Sequence, residues 1–255
     1  MASYYMKKHI PNLVTALNLL SGCIAVLLAV NGQYIGAVFF VFLGIFFDFF
    51  DGLLARKLNV QSSLGVQLDS LADMITSGLV PGIVMCGLID QALGGNNIFI
   101  IQDEWTQTTQ WYGMQIRPIA LIGFLITIAS AYRLAKFNID EDQQSYFKGL
   151  PTPANTILIL SLPLILEFQF SITVSYLFSN LWFLVGLTLL SCYLLNANIK
   201  LFALKFKTWA FQPNRMRYLF LIACLALLLV LKFIAIPIII LLYVLVSIIN
   251  QSSIS

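Results

Sequence analysis

Histidine and cysteine, two side chains that often supply acid–base chemistry or hold zinc, are scarce in this sequence. The only histidine is His9, close to the amino terminus. The four cysteines stand singly in apolar segments, with the spacing of neither a zinc site nor a disulfide framework. These absences exclude a buried imidazole base and a zinc centre, so carboxylates must carry any acid–base chemistry.

Charge is also scarce: only 10% of the residues are Asp, Glu, Lys or Arg, whereas 60% are hydrophobic and the mean hydropathy is +0.90. This composition excludes an ordinary soluble domain, and we expect no nucleic-acid partner for a formal net charge of only +3. It predicts an all-α polytopic transmembrane bundle, a single integral membrane domain over residues 1–255 among membrane lipids.

The apolar runs predict about eight membrane spans. Six are expected at about 12–30, 34–58, 62–89, 114–137, 155–168 and 175–195. The stretch 218–250 is too long for one comfortable span and contains Lys232 and Pro237. We expect a tight hairpin there, with a single strongly tilted helix as the alternative.

The distribution of positive charge predicts the orientation. Of the fourteen Lys and Arg residues, all except Arg117 and Lys232 fall on one side of the eight-span arrangement, many of them in a basic loop that includes Lys205 and Lys207. By the positive-inside rule this side is cytoplasmic. We therefore expect both termini to face the cytoplasm, in a bacterial inner membrane.

Four carboxylates interrupt the apolar sequence between residues 34 and 89. Asp48 and Asp51 recur at helical offsets with Gly52 and Ala55, and Asp69 and Asp73 do so with Gly65 on the next predicted helix. One charged residue at mid-membrane costs about 2.5–3.5 kcal/mol, so four require compensation. Clustered carboxylates suit hard divalent cations. The alternative is the ion pathway of a cation transporter, which does not explain the small residues on the same face.

The spacing Asp-x2-Asp-Gly-x2-Ala-Arg-x8-Gly-x3-Asp-x3-Asp resembles, without departure, the signature of the CDP-alcohol phosphatidyltransferase family. The resemblance covers about the first 155 residues. It implies a membrane enzyme that moves a phosphatidyl group from a CDP-linked lipid to an alcohol and releases CMP. Residues 12–168 would form the catalytic helical core, and 169–255 would add carboxy-terminal spans.

The resemblance also implies a metal site. Two Mg²⁺ or Mn²⁺ ions, with Ca²⁺ as a further candidate, would be held near the cytoplasmic side by Asp48, Asp51, Asp69 and Asp73. Asp48 and Asp69 would bridge the ions, which would offset the repulsion between carboxylates and diphosphate. Asp73 would also be the catalytic base for the acceptor hydroxyl.

The donor implied by the resemblance is CDP-diacylglycerol, and archaeal-type ether lipid is an open alternative. Its binding residues would be Asp48, Gly52, Ala55, Arg56 and Gly65. The first predicted span adds a polar stripe at offsets of three and four, which is either part of the same pocket or packing contact between helices: Thr15, Asn18 and Ser21.

Two further segments, Arg-Leu-Ala-Lys-Phe-Asn from Arg133 and Gly-Leu-Pro-Thr-Pro-Ala-Asn from Gly149, resemble the serine-using branch of that family. They imply L-serine as acceptor, with glycerol 3-phosphate or inositol phosphate as alternatives, and the family also allows a homodimer. Taken singly, the cations also fit positive-inside flanking and the prolines a helix start. The acceptor or phosphate would contact Arg133, Lys136, Asn138, Gly149, Pro151, Thr152 and Asn155.

Overall fold

The structure, a computed structural model, describes residues 2–95, 110–111, 114–115, 117–139, 147–201 and 214–249. Ten α-helices account for most of this part of the chain: α1 Ala2–Val30, α2 Tyr34–Lys57, α3 Ser63–Asp73, α4 Val80–Ala92, α5 Leu125–Ile139, α6 Thr152–Phe168, α7 Ile172–Phe178, α8 Leu181–Asn196, α9 Arg215–Leu231 and α10 Ala235–Ile249. A π-helix, Met74–Leu79, joins α3 to α4, and 3₁₀ turns at Pro118–Phe124 and Lys232–Ile234 precede α5 and α10.

The only strands in the described residues form two short antiparallel pairs. β1 (Gln110–Trp111) pairs with β2 (Met114–Gln115), and β3 (Phe147–Lys148) pairs with β4 (Lys200–Leu201). The predicted all-helical membrane architecture is therefore confirmed.

The first helix differs from the prediction, because α1 begins at Ala2 rather than near residue 12. Pro11 lies inside this helix. An interior proline removes one backbone hydrogen bond and its ring crowds the carbonyl four residues earlier, yet the helix continues through it. The long apolar segment that follows continues the helix to Val30, where α1 turns at Gly32 into α2.

The segment Ser63–Ala92, which comprises α3, the π-helix and α4, is the most buried of the long apolar helices. A π-helix leaves some backbone groups without their usual partners. Two of its carbonyl oxygens are bonded by threonines of other helices: Thr156 Oγ1 donates to Ser77 O at 2.7 Å, and Thr127 Oγ1 donates to Gly78 O at 3.0 Å. These two hydrogen bonds join the segment Ser63–Ala92, called the central rod below, to α5 and α6.

The start of α6 is held against the end of α8. Gly149 has a positive φ of 73°, and a Cβ there would lie 2.6 Å from the carbonyl oxygen of Leu195. Its amide donates to Ile199 O at 3.0 Å, and the amide of Leu150 donates to Leu194 O at 2.8 Å. A glycine at position 149 thus permits a close backbone approach that fixes the residues leading into α6.

By length and apolar composition, five helical segments can cross a membrane: His9–Val30, Tyr34–Lys57, Ser63–Ala92, Pro118–Ile139 and Arg217–Ile249. A sixth results if α7 and α8, which meet at 63°, are one broken span. The helix α6, with 17 residues, is shorter. The predicted number of eight spans is not confirmed, and the division at residue 168 stays a prediction.

The last of these segments folds back on itself. Lys232 has a positive φ of 49°, and the ring centroids of Phe220 in α9 and Tyr243 in α10 are 5.8 Å apart. Gln169, just after α6, donates to Leu231 O and accepts from the amide of Ile234, both at 3.0 Å. These contacts make α9 and α10 an antiparallel pair with its turn at Lys232, as the hairpin prediction requires.

The predicted orientation in the membrane stays a prediction. It depends in part on Lys205 and Lys207, which lie outside the described residues.

Candidate metal and substrate site

The turn between α2 and α3 brings three of the predicted carboxylates together. It passes through Asn59, whose φ is 54°, and Ser62 then caps α3 by accepting a hydrogen bond from the amide of Gly65 at 3.1 Å. Oxygens of Asp48, Asp51 and Asp69 lie within 4.8 Å of one another. The short polar segment 59–63 therefore forms the turn that brings the two carboxylate-bearing helices together.

This cluster has the donor set of a site for a hard divalent cation. Asp51 is buried and accepts a hydrogen bond from Thr15 Oγ1, whereas the buried Asp69 Oδ1 has no hydrogen-bond partner within the described part of the chain. Negative oxygens this close, one of them unpartnered, are stabilised when they share a cation. The cluster can hold a metal ion, and its chemistry fits Mg²⁺, Mn²⁺ or Ca²⁺.

Asp73 lies outside this group of three and is engaged differently. Its Oδ1 accepts a hydrogen bond of 3.2 Å from Asn18 Nδ2. The other end of the Asn18 amide, Oδ1, accepts from Thr76 Oγ1 at 2.8 Å. Asp73 is thus joined to α1 by the Asn18 side chain. Its predicted role as a fourth metal ligand stays a prediction.

A cavity of about 580 Å³ opens beside the carboxylate cluster. No side chain occupies the space above Gly52, where an added Cβ would meet nothing closer than the Arg56 guanidinium at 3.8 Å. Arg56 Nε donates to Gly52 O at 3.0 Å, so this cation borders the same space. Seven residues predicted to bind metal or donor line the cavity: Thr15, Asp51, Gly52, Ala55, Arg56, Gly65 and Asp69.

Three residues predicted to bind the donor are not among those that line this cavity: Asn18, Ser21 and Asp48, which belongs to the adjacent carboxylate cluster. Asn18 is fully buried between Asp73 and Thr76, and Ser21 donates within its own helix to Leu17 O at 2.8 Å. Their role in binding the donor stays a prediction. Four polar residues that line the cavity were not predicted from the sequence: Asn12, Gln61, Ser62 and Ser63. The last three belong to the polar segment 59–63, which could have indicated them.

The predicted acceptor residues occupy the start of α6 and the end of α5. Arg133 is buried and donates through Nη2 to Gly149 O at 3.3 Å, while its Nε has no partner among the described residues. The same holds for Thr152 Oγ1 and for both polar atoms of the fully buried Asn155. Pro151 caps the start of α6. Buried polar atoms without partners are uncommon and point to a ligand or water.

The remaining two predicted acceptor residues have different surroundings. Asn138 Nδ2 donates to Ser70 Oγ at 2.9 Å, a contact that ties the end of α5 to α3. Lys136 lines a small cleft with Arg133 and Lys148.

Three contacts set the level of these residues along the central rod. Asn138 reaches Ser70, Ser130 packs against Gly78, and Thr156 bonds Ser77. Arg133 lies between Ser130 and Asn138 on α5, and Asn155 adjoins Thr156 on α6. These contacts place α5 and the start of α6 against residues 70–78 of the rod, the part that includes Asp73.

A helical membrane protein with clustered carboxylates beside an open cavity fits an enzyme acting on a charged lipid. The profile of the CDP-alcohol phosphatidyltransferase family matches residues 8–189. The chain belongs to this family of phosphatidyltransferases, as its signature predicts. It is an integral membrane protein, and the family uses divalent cations.

Similar curated proteins carry related names. The chain is 32% identical over 149 residues to the CDP-diacylglycerol–serine O-phosphatidyltransferase of Bacillus subtilis, which covers 57% of this chain and 70% of that protein. It is 30% identical over 170 residues to the Saccharomyces cerevisiae protein of the same name, covering 60% and 53%. It is 28% identical over 155 residues to the archaetidylserine synthase of Methanothermobacter thermautotrophicus, covering 60% and 56%. The chain thus spans little more than half the length of the last two.

Removing one carboxylate of the cluster is expected to weaken metal binding and abolish activity. We predict that Asp48→Ala or Asp69→Ala reduces divalent-cation-dependent CMP release to background, because the remaining carboxylates then repel the diphosphate. Isothermal titration with Mn²⁺ in detergent, without lipid donor, should show weakened binding. Glu167→Ala, at an exposed acidic residue outside the site, is the matched control. Full activity of either variant at saturating metal would contradict the assignment.

Filling the space above Gly52 should block the donor without unfolding the protein. We predict that Gly52→Leu lowers the affinity for a CDP-lipid by about ten- to a hundredfold, the cost of about 1–3 kcal/mol for bulk added to an occupied site. Gly186→Leu is the control, since an added Cβ there meets nothing within 4 Å and the residue does not line the cavity. Donor binding by calorimetry checks this; equal affinities would show that the donor does not approach Gly52.

Proposed function

We propose that this chain transfers the phosphatidyl group of CDP-diacylglycerol to the hydroxyl of L-serine, giving phosphatidylserine and CMP. The observation that carries the proposal is a carboxylate cluster that borders an open cavity on α1–α3. Buried polar atoms without partners in the described residues add to it, on the two helices, α5 and α6, that contact residues 70–78 around Asp73. The names of the similar proteins support serine as the acceptor.

The donor would bind in the cavity of α1–α3. Gly52 and Ala55 leave space for the nucleotide, and Arg56 can pair with a phosphate through its planar guanidinium. Two divalent cations held by Asp48, Asp51 and Asp69, completed by Asp73, would neutralise the diphosphate, polarise the phosphate under attack and acidify a bound hydroxyl.

The acceptor would bind between Asp73 and the polar atoms of α5–α6. Serine carries both a carboxylate and an ammonium group. The buried Arg133 guanidinium offers donors for the carboxylate, and Asn155 Oδ1 and Thr152 Oγ1 offer acceptors for the ammonium. This mixture of one buried cation and neutral polar groups suits a zwitterionic amino acid.

In the transfer step, the serine hydroxyl oxygen forms a bond to the phosphorus that carries diacylglycerol. The bond from this phosphorus to the bridging oxygen breaks, and CMP leaves with that oxygen and its electron pair. The proton of the serine hydroxyl passes to Asp73, which acts as general base. The hydrogen bond from Asn18 holds the Asp73 carboxylate for this role.

The proposed reaction is tested by measuring CMP release from purified protein with CDP-diacylglycerol and one candidate acceptor at a time. CMP release is expected with serine and a divalent cation, and much less with glycerol 3-phosphate or inositol phosphate. Arg133→Ala is expected to raise the serine KM about ten- to a hundredfold, because losing a charge-assisted pair costs about 1.5–3 kcal/mol, while leaving donor binding intact. Arg215→Ala, at an exposed arginine outside the site, is the control.

Several outcomes would contradict this assignment. Faster CMP release with a phosphorylated alcohol than with serine would make that alcohol the acceptor. The cleft lined by Arg133, Lys136 and Lys148 offers cations for its phosphate group. A CDP-linked archaeal ether lipid as the better substrate would replace the diacylglycerol donor. Metal-dependent cation transport without CMP release would favour a transporter. Unchanged serine kinetics in Arg133→Ala would show that Arg133 does not bind serine and would favour its alternative role as a positive charge that flanks a membrane span.

The base assignment has its own prediction. Asp73→Asn preserves the shape of the side chain and some oxygen ligation but cannot take the proton. We expect it to bind CDP-diacylglycerol and to lose at least about a hundredfold in the rate of CMP release, the low end for loss of a general base. Calorimetry and turnover with serine measure the two effects. Near-normal turnover would remove Asp73 as base, and lost donor binding would make it a metal ligand alone.

A further inference from the structure

A chain of two side-chain hydrogen bonds leads from the π-helix to Asp73. Thr76 Oγ1 donates to Asn18 Oδ1 at 2.8 Å, and Asn18 Nδ2 donates to Asp73 Oδ1 at 3.2 Å. Both Thr76 and Asn18 are fully buried. An ionised carboxylate can only accept, so Asn18 must turn its NH₂ group toward Asp73. Its carbonyl oxygen then faces away and needs a donor, which Thr76 supplies.

The position of Thr76 is fixed by the backbones of two other helices. A Cβ at Gly22 of α1 would lie 2.5 Å from Thr76 Oγ1, and one at Gly44 of α2 would lie 2.6 Å from Thr76 Cγ2. Contacts this short occur only because both positions are glycine. The two helices therefore close around Thr76 and hold its hydroxyl against Asn18.

The π-helix that carries Thr76 is also held from the acceptor side. Its carbonyl oxygens at Ser77 and Gly78 accept hydrogen bonds from Thr156 of α6 and Thr127 of α5. The widened turn begins directly after Asp73. Such turns are frequent at functional sites. The geometry of this turn thus decides where Thr76 meets Asn18.

We propose that Asn18 and Thr76 are positioning residues for Asp73, an inference that rests on the proposed phosphatidyl transfer. The two hydrogen bonds hold Oδ1 of Asp73 and leave Oδ2 as the oxygen that takes the proton from the acceptor hydroxyl. Without the Thr76 donor, the Asn18 amide can turn over and present its oxygen to the carboxylate. A small displacement of a reacting group is costly in rate, so the effect should fall on turnover.

Thr76→Val tests this in the purified full-length enzyme, because valine replaces the hydroxyl by a methyl group of similar size. We expect kcat for CMP release with serine to fall about tenfold, the loss of one buried hydrogen bond, with both KM values within about twofold of wild type. Thr76→Ser should restore kcat to within about twofold. Thr76→Ala, which adds no bulk, should show the same loss as valine.

A matched control separates positioning from general packing. Thr188 is also a fully buried threonine, but its hydroxyl donates within α8 to Leu184 O at 2.8 Å. Thr188→Val should therefore keep the wild-type kcat. Asn18→Ala should lose more than Thr76→Val, and the double variant should lose no more than Asn18→Ala alone, because Thr76 acts through Asn18.

The proposal is overturned if Thr76→Val and Thr76→Ala both keep kcat within twofold of wild type, if Thr188→Val shows the same loss, or if the two losses multiply in the double variant. If Asn18→Ala and Thr76→Val raise the KM for the lipid donor and leave kcat unchanged, the positioning role is wrong and Asn18 belongs to the donor-binding residues. Wild-type enzyme that releases no CMP with serine fails the proposed function. The variants are then compared with the acceptor that supports release.

Discussion

Mutual repulsion between carboxylates in an apolar surrounding is the constraint on which this structure depends. Oxygens of Asp48, Asp51 and Asp69 lie within 4.8 Å of one another, and all three side chains are at least half-buried. Water therefore screens their charge less than it would at a fully exposed protein surface. Neighbouring side chains offset part of the repulsion, since Thr15 donates a hydrogen bond to Asp51 and Asn18 donates one to Asp73. Asp69 Oδ1 has no hydrogen-bond partner among the described residues and can bind a cation. The helix-capping turn at Ser62 and the glycines near the cluster serve this arrangement.

The carboxylate face could be predicted because it depends on local periodicity. Offsets of three and four place Asp48 beside Asp51 and Asp69 beside Asp73 in any helix, and the polar break before Ser63 requires a turn between the two. The signature spacing then gave the family, which the profile match confirms. The hairpin prediction for 218–250 rested on the length of this stretch and on Lys232 and Pro237 within it, with one strongly tilted helix as the alternative.

The rest depends on contacts between residues far apart in sequence. The π-helix at Met74–Leu79 has no composition that distinguishes it from an α-helix, and its hydrogen bonds come from Thr127 and Thr156. Asn18 was grouped with Thr15 by its spacing, yet only Thr15 lines the cavity. The start of α1 was placed too late because Pro11 is a typical first-turn residue, whereas the helix runs through it. A periodic pattern assigns a face but not the neighbour that the face meets.

The threonine contacts around the π-helix have a consequence for how such an enzyme changes over evolutionary time. The cavity and the carboxylate cluster belong to α1–α3, whereas the unpartnered polar atoms of Arg133, Thr152 and Asn155 belong to α5 and α6. Hydroxyl-to-carbonyl bonds join the two halves at the widened turn, and the carbonyl end of such a bond is independent of side-chain identity. In the proposed function, the nucleotide binds among α1–α3 and the alcohol among α5–α6, so substitutions in α5–α6 are expected to change the alcohol that is used while nucleotide binding is retained. The same scaffold could then serve several headgroups.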